Sequence, residues 1–115
     1  EYLRKNRETT DVQRVGFMKA VKRGVKLAYG TDSGVYPHGQ NAKQFAYMVR
    51  YGMTPMQAIQ SATIRAAELL GKEKMLGAIA AGRFADLVAV KENPLTNITA
   101  LEHIALVMKD GKIVR

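Results

Sequence analysis

Asp32 is the residue of this chain whose type and position could do chemistry. It lies in Gly30-Thr31-Asp32-Ser33-Gly34, a tight polar turn that directly follows Val25-Lys26-Leu27-Ala28-Tyr29, a run of strand-like composition. A strand stopping in such a turn sets the carboxylate at its C-terminal tip. In parallel α/β proteins that tip is where ligands and catalytic groups collect, because the loops there vary on a fixed scaffold. The same side chain has an ordinary use as well: a short acceptor suits a turn or a helix cap. Cysteine is absent, which excludes disulfides, thiolate metal sites and cysteine nucleophiles. The two histidines, His38 and His103, are too few for a zinc site without carboxylates.

The elements that position Asp32 can be read on both sides of it. Thr10-Asp11-Val12-Gln13 carries Thr and Gln at capping-box spacing, which predicts a helix beginning near Asp11. Val12, Val15, Met18 and Val21 then form an apolar stripe, and Gly24 supplies a left-handed stop. Helix, glycine and short strand make the αβ half of a βαβ unit, so a parallel sheet is expected. Beyond a Pro- and Gly-containing loop, Ala42, Phe45, Ala46 and Val49 predict a second helix over 41–51 that Gly52 ends. Thr54-Pro55-Met56-Gln57 opens a third, running to Leu70 and stopping at Gly71, with Ile59, Ala62, Ala66, Leu69 and Leu70 along one side. From Gly77 the period changes. Ile79 and Ala85 to Val90 read as strands around a glycine turn at Ala81-Gly82, and Thr99 to Glu102 as a short helical turn. Ile104 to Met108 and Lys112 to Val114 flank Asp110-Gly111 as a hairpin.

Length and composition narrow the function classes. A chain of 115 residues makes one domain-sized core, and 47% hydrophobic with 24% charged residues is ordinary for a globular protein. No run approaches the roughly 18 apolar residues of a membrane helix, so no membrane partner is expected. Glu1 to Arg7 is charged and lacks an apolar signal-peptide core; the chain does not open with Met and reads as a segment of something longer. The compartment is left open. The net charge of +8 raises nucleic acid as a partner, but the basic residues spread along the whole chain, with one local cluster at Arg4, Lys5 and Arg7. The five Tyr and three Phe do not interleave with them as a stacking platform requires. The expectation is a solvated basic surface and no nucleic acid. A single strand among three helices also leaves ladder groups unpaired on both edges, which makes self-association through open strand edges an expected partner mode.

The motifs fall in a recognisable order. Gly30-Thr31-Asp32-Ser33-Gly34 is followed by Tyr51-Gly52-Met53-Thr54-Pro55-Met56-Gln57-Ala58, Ser61-Ala62-Thr63 and Ala67-Glu68-Leu69-Leu70-Gly71. Then come Leu76-Gly77-Ala78-Ile79, Ala81-Gly82-Arg83-Phe84-Ala85-Asp86-Leu87-Val88, Asn93-Pro94-Leu95 and Val107-Met108-Lys109-Asp110-Gly111-Lys112. The series resembles the C-terminal part of the metal-dependent amidohydrolase superfamily, in its prolidase-like and imidazolonepropionase-like members, over roughly Val12 to Arg115. The resemblance implies an α/β fold that is the C-terminal fragment of a (β/α)8 barrel, a TIM barrel, followed by strands of a small β-domain. Residues 1–72 would be the last helix-strand-helix section of the barrel plus an extra helix, and residues 73–115 the returning strands of the β-domain. A complete barrel takes at least about 200 residues.

By the same resemblance Asp32 is both a metal ligand and the catalytic proton shuttle. His38 lies in the loop after it, where barrel loops line the pocket, and is the candidate substrate contact, its alternative being a loop histidine with no task; Tyr36 ranks behind His38. Asp86 reads as a structural, turn-bonding carboxylate, and His103 has no assigned function. The cofactor implied is a divalent metal, zinc first, as one or two ions. The substrate is a small molecule or a dipeptide such as Xaa-Pro, making the intact chain a dipeptidase-like hydrolase of C–N bonds. The family's other ligands, a His-x-His pair among them, stand on earlier strands, and no His-x-His occurs here. One Asp cannot hold a catalytic metal where three protein ligands are usual. The 115-residue piece alone is therefore expected to be inactive and to bind no metal tightly. The competing reading is a non-catalytic basic α/β interaction module in which Asp32 merely caps a turn.

Overall fold

The structure, a computed structural model, describes residues 1–34 and 37–115. Four helices come first: α1 (Tyr2–Lys22), α2 (Lys43–Arg50), α3 (Pro55–Ala62) and α4 (Ile64–Leu69). A three-stranded antiparallel sheet follows, β1 (Leu87–Val90), β2 (Ile104–Lys109) and β3 (Lys112–Ile113), in the order β1-β2-β3. A 3-10 turn at Ile98–Glu102 joins β1 to β2, capped by the Asn97 side chain on the Thr99 N–H.

Helix α1 starts at Tyr2, nine residues before the expected start at Asp11. The Thr10 hydroxyl donates to the Asn6 carbonyl and Thr9 to Lys5, each four residues back, so these threonines continue the helix and do not cap one. Exposed pairs at i,i+4, Arg4 with Glu8 and Lys5 with Glu1, lend the first turns modest support.

The helix ends follow the local code. At α1 the Gly24 N–H donates to the Val21 carbonyl and the Val25 N–H to Ala20; at α2 Gly52 and Met53 repeat the pair on Val49 and Met48; at α4 Gly71 and Lys72 repeat it on Glu68 and Ala67. This is the Schellman arrangement, which needs a left-handed residue just past the helix and so selects glycine. The capping box at α3 forms as well, with Thr54 Oγ1 accepting from the Gln57 N–H at 3.2 Å and Gln57 Oε1 from the Thr54 N–H at 2.9 Å. The expected single helix to Leu70 is broken at Thr63, whose φ of −120° and ψ of −95° separate α3 from α4.

Two strand expectations are corrected. Among the described residues 25–29 form no strand, because no neighbouring strand is present to share a ladder; the Tyr29 N–H goes instead to the Ser61 carbonyl at 2.9 Å. The sheet is accordingly antiparallel and confined to the tail, and the expected parallel sheet is absent among the described residues. Ile79 is likewise outside any strand and 88% exposed. The hairpin forms as read: Asp110 and Gly111 take φ of 49° and 75°, the double left-handed geometry of a type I′ turn.

The core is small. Met48, Met53 and Ala58 are buried, with Phe17, Val21, Leu27, Tyr29, Phe45, Val49 and Ile98 packed around them. Ser61, 1% exposed, donates to the Ala58 carbonyl at 2.6 Å. Of the α1 stripe only Val21 reaches this core; Val12, Val15 and Met18 are exposed. Leu69 and Leu70 are also exposed, and an apolar cavity of about 620 Å³ opens between α3, α4 and the sheet, lined by Ile59, Ala66, Leu70, Phe84, Val88 and Val107. The accessible surface is 8784 Å², where a self-contained monomer of this mass exposes about 6,200 Å².

The tail is tied to α4 at Gly77. Its φ is +86°, and a Cβ there would lie 2.8 Å from Ala67 Cβ, 2.8 Å from the Thr63 carbonyl oxygen and 2.9 Å from Ile64 Cα. Backbone cannot yield as a flexible side chain would. Gly77→Ala is expected to cost roughly 2–4 kcal/mol, combining left-handed strain with overpacking. Urea unfolding should show a lower midpoint at unchanged slope, and an unchanged midpoint would refute the packing described.

Candidate functional site

The site is built from Tyr29 outward. Its ring packs on Phe45 of α2, centroids 4.4 Å apart and planes at 31°. Its N–H is held by Ser61, and its hydroxyl donates to the Asn41 carbonyl at 2.5 Å. The Asn41 side chain turns back along the chain and donates through Nδ2 to Thr31 Oγ1 at 3.0 Å. Two residues beyond Tyr29 the chain is therefore tied again, through the Thr31 side chain. Asp32 follows at once, exposed, with φ +49°. Aspartate is one of the few non-glycine residues that visit this left-handed region.

His38 lies on the same loop. Its Nδ1 is 3.2 Å from Ser33 Oγ, so the structure links the second candidate to the residue next to the first. Tyr36 lies outside the described residues. His103 is exposed at the end of the 3-10 turn, and its N–H goes to the Ala100 carbonyl. Among the described residues no three His, Cys, Asp or Glu side chains come together as a metal site. Asp32 supplies one carboxylate donor at an open turn. A carboxylate oxygen is a donor that divalent metals accept, and the described residues alone do not make a metal centre.

Two other motif carboxylates have structural work instead. Glu68 accepts from Arg65 Nη1 at 2.8 and 2.9 Å and from Lys26 Nζ at 3.1 Å, which ties the 25–29 run to α4. The Arg65 bonds, and then the Lys26 bond, hold its carboxyl below the ordinary range. Asp86 takes the Lys109 ammonium on Oδ2 and the Asp110 N–H on Oδ1 at 2.8 Å, so it braces the hairpin turn as expected. Those two bonds, Lys109 first, hold its carboxyl below the ordinary range too. Tyr29, expected within a strand, and Asn41, expected at a helix start, hold the turn in ways the sequence does not mark. Neither role has a local signature, since the bonds span ten and twelve residues.

Residues 3–114 match the model of the amidohydrolase family. A solved structure of a Xaa-Pro dipeptidase with bound methionine in the active site superposes with a TM-score of 0.86 at 51% identity, over 89% of this chain and 25% of that one. The ochratoxinase of Aspergillus niger is 36% identical over 104 residues, 86% of this chain and 21% of that protein. The imidazolonepropionase of Shouchella clausii is 32% identical over 102 residues, 82% of this chain and 22% of that protein. An α/β arrangement with a small antiparallel sheet, carried at this identity, defines the class. The chain belongs to the amidohydrolase family, and it spans about a fifth to a quarter of the length of these relatives.

The pH dependence of the hairpin brace follows from Asp86. A carboxyl whose folded pKa is depressed contributes stability that is present above its ordinary pKa of about 3.9 and lost as pH falls through the lower folded value. The difference in urea midpoint between wild type and Asp86→Asn should be positive at neutral pH and shrink steadily below about pH 4. A difference independent of pH would contradict the brace.

Proposed function

We propose that this chain is the C-terminal part of a metal-dependent hydrolase of C–N bonds whose substrates are dipeptides of the Xaa-Pro class. The observation that carries the reading is the 51% identity, over 89% of the chain, to a Xaa-Pro dipeptidase. In this reading residues 1–72 close a (β/α)8 barrel and residues 73–115 return into a small β-domain. Elements outside this chain would then cover the α1 stripe and the apolar cavity, which accounts for the excess surface. Family membership favours the hydrolase over a non-catalytic basic module.

Asp32 would be one ligand of a divalent cation, zinc first, as one or two ions, with the remaining donors on earlier strands. Such an ion, when bound, lowers the pKa of a coordinated water and polarises the scissile carbonyl. The work of this chain is proton transfer: an Asp32 carboxylate oxygen takes the proton from the attacking water and passes it to the departing amine nitrogen. The open position of the turn gives that oxygen access from solvent. His38, held beside Ser33 on the same loop, would meet the substrate. The 115-residue chain alone would neither turn over nor bind zinc more tightly than a generic acidic surface. It would self-associate through the outer edges of its sheet.

In the intact protein, Asp32→Ala should cut kcat on a Xaa-Pro dipeptide by at least about 10²- to 10⁴-fold, the range for loss of a positioned acid–base group. Steady-state assays of released proline measure it. Retained turnover would reject the role of Asp32, and a wild type that cleaves no Xaa-Pro dipeptide would reject the substrate class.

A further inference from the structure

We infer that Asn41 is a positioning residue for Asp32, acting through the Thr31 hydroxyl. The inference rests on the reading of Asp32 as the carboxylate that ligates and moves the proton. Three observations carry it. Asn41 Nδ2 donates to Thr31 Oγ1 at 3.0 Å, so a half-buried amide grips the residue immediately before Asp32. The Asn41 carbonyl is itself held by the Tyr29 hydroxyl, whose ring packs on Phe45. Asp32, next in the chain, is exposed at a left-handed turn position that aspartate tolerates, so its carboxylate stands clear of the grip.

The arrangement is a closed loop of chain. Tyr29 and Thr31 lie before Asp32 and Asn41 after it, and two bonds in opposite senses join the two sides: the Tyr29 hydroxyl to the Asn41 carbonyl, and the Asn41 amide to the Thr31 hydroxyl. The first fixes where Asn41 sits. The second ties the Thr31 side chain, one residue before Asp32, to that position, which limits how far the chain at Asp32 can shift. A ligand that must also be a proton shuttle needs such restriction, because misplacement by about 1 Å can cost 10²-fold in rate.

The test is made in the intact protein with Thr31→Val, Thr31→Ser and Asn41→Ala, alone and with Asn41→Ala combined with Thr31→Val. Thr31→Val keeps the side-chain shape and removes only the hydroxyl; Thr31→Ser keeps the hydroxyl. Thr31→Val and Asn41→Ala are each expected to lower kcat by about 10- to 100-fold with KM within about threefold. They should also weaken zinc binding to the metal-free protein, followed by chelator competition, by about 10-fold. Thr31→Ser should stay within about threefold of wild type on both counts, and the losses of Thr31→Val and Asn41→Ala should be less than additive in the double variant, because the two changes share a link.

Equal behaviour of Thr31→Val and Thr31→Ser overturns the proposal, as do additive losses in the double variant. If Asn41→Ala fails to fold, Asn41→Leu, close in shape and without a donor, takes its place in the cycle. If the wild type shows no turnover, the functional reading falls, while zinc affinity across the same variants still decides this one: less-than-additive losses at Thr31 and Asn41 support it, and additive losses or equal affinities overturn it.

Discussion

Residues 25–29 carry the apolar content of a strand and have no ladder partner among the described residues. Everything near the candidate site follows from how that run is held without one. Backbone groups that cannot pair in a sheet must find other partners or water, and Tyr29 takes the load. Its N–H reaches α3, its ring lies on α2, and its hydroxyl reaches across the polar loop to Asn41. Lys26 adds a surface tie to Glu68 on α4. The turn bearing Asp32 is therefore set by helices behind it.

The chain's carboxylates separate by environment. Asp86 and Glu68 are each met by cations and N–H or guanidinium donors, and both are held ionised to lower pH than usual. Their negative charge is spent on bracing the hairpin and α4. Asp32 stands at an open turn with a left-handed backbone and belongs to no cluster of metal-capable side chains among the described residues. A carboxylate held at a defined point and left open is the kind that can serve a ligand, whereas a satisfied one serves the fold.

The apolar surface tells a related story. Sequence patterning on α1, α3 and α4 is that of helices with a buried face, yet Val12, Leu69 and Leu70 lie largely in solvent. Periodicity reports that a face is made to be covered; it does not say by what. The sheet likewise leaves the outer edge of β1 open beside the apolar cavity. The chain belongs to the amidohydrolase family and spans a fifth to a quarter of the length of its relatives, and the proposed function reads those faces as ones that a barrel would cover.

What the amino-acid sequence determined by itself was local chemistry. The glycine stops at Gly24, Gly52 and Gly71, the capping box of Thr54 with Gln57 and the Asp110-Gly111 turn all depend on residues within about five positions, and their energies are settled before any tertiary contact. Asp86 was legible too, as part of an ordered motif series. Tertiary structure alone decided the rest. Whether 25–29 pairs as a strand depends on neighbours elsewhere in sequence. The break at Thr63, between two helices that read as one, is not marked by any glycine or proline there. The grip of Asn41 on Thr31 joins groups ten residues apart across a loop, and no period or cap encodes a bond whose partners meet only after the helices have packed.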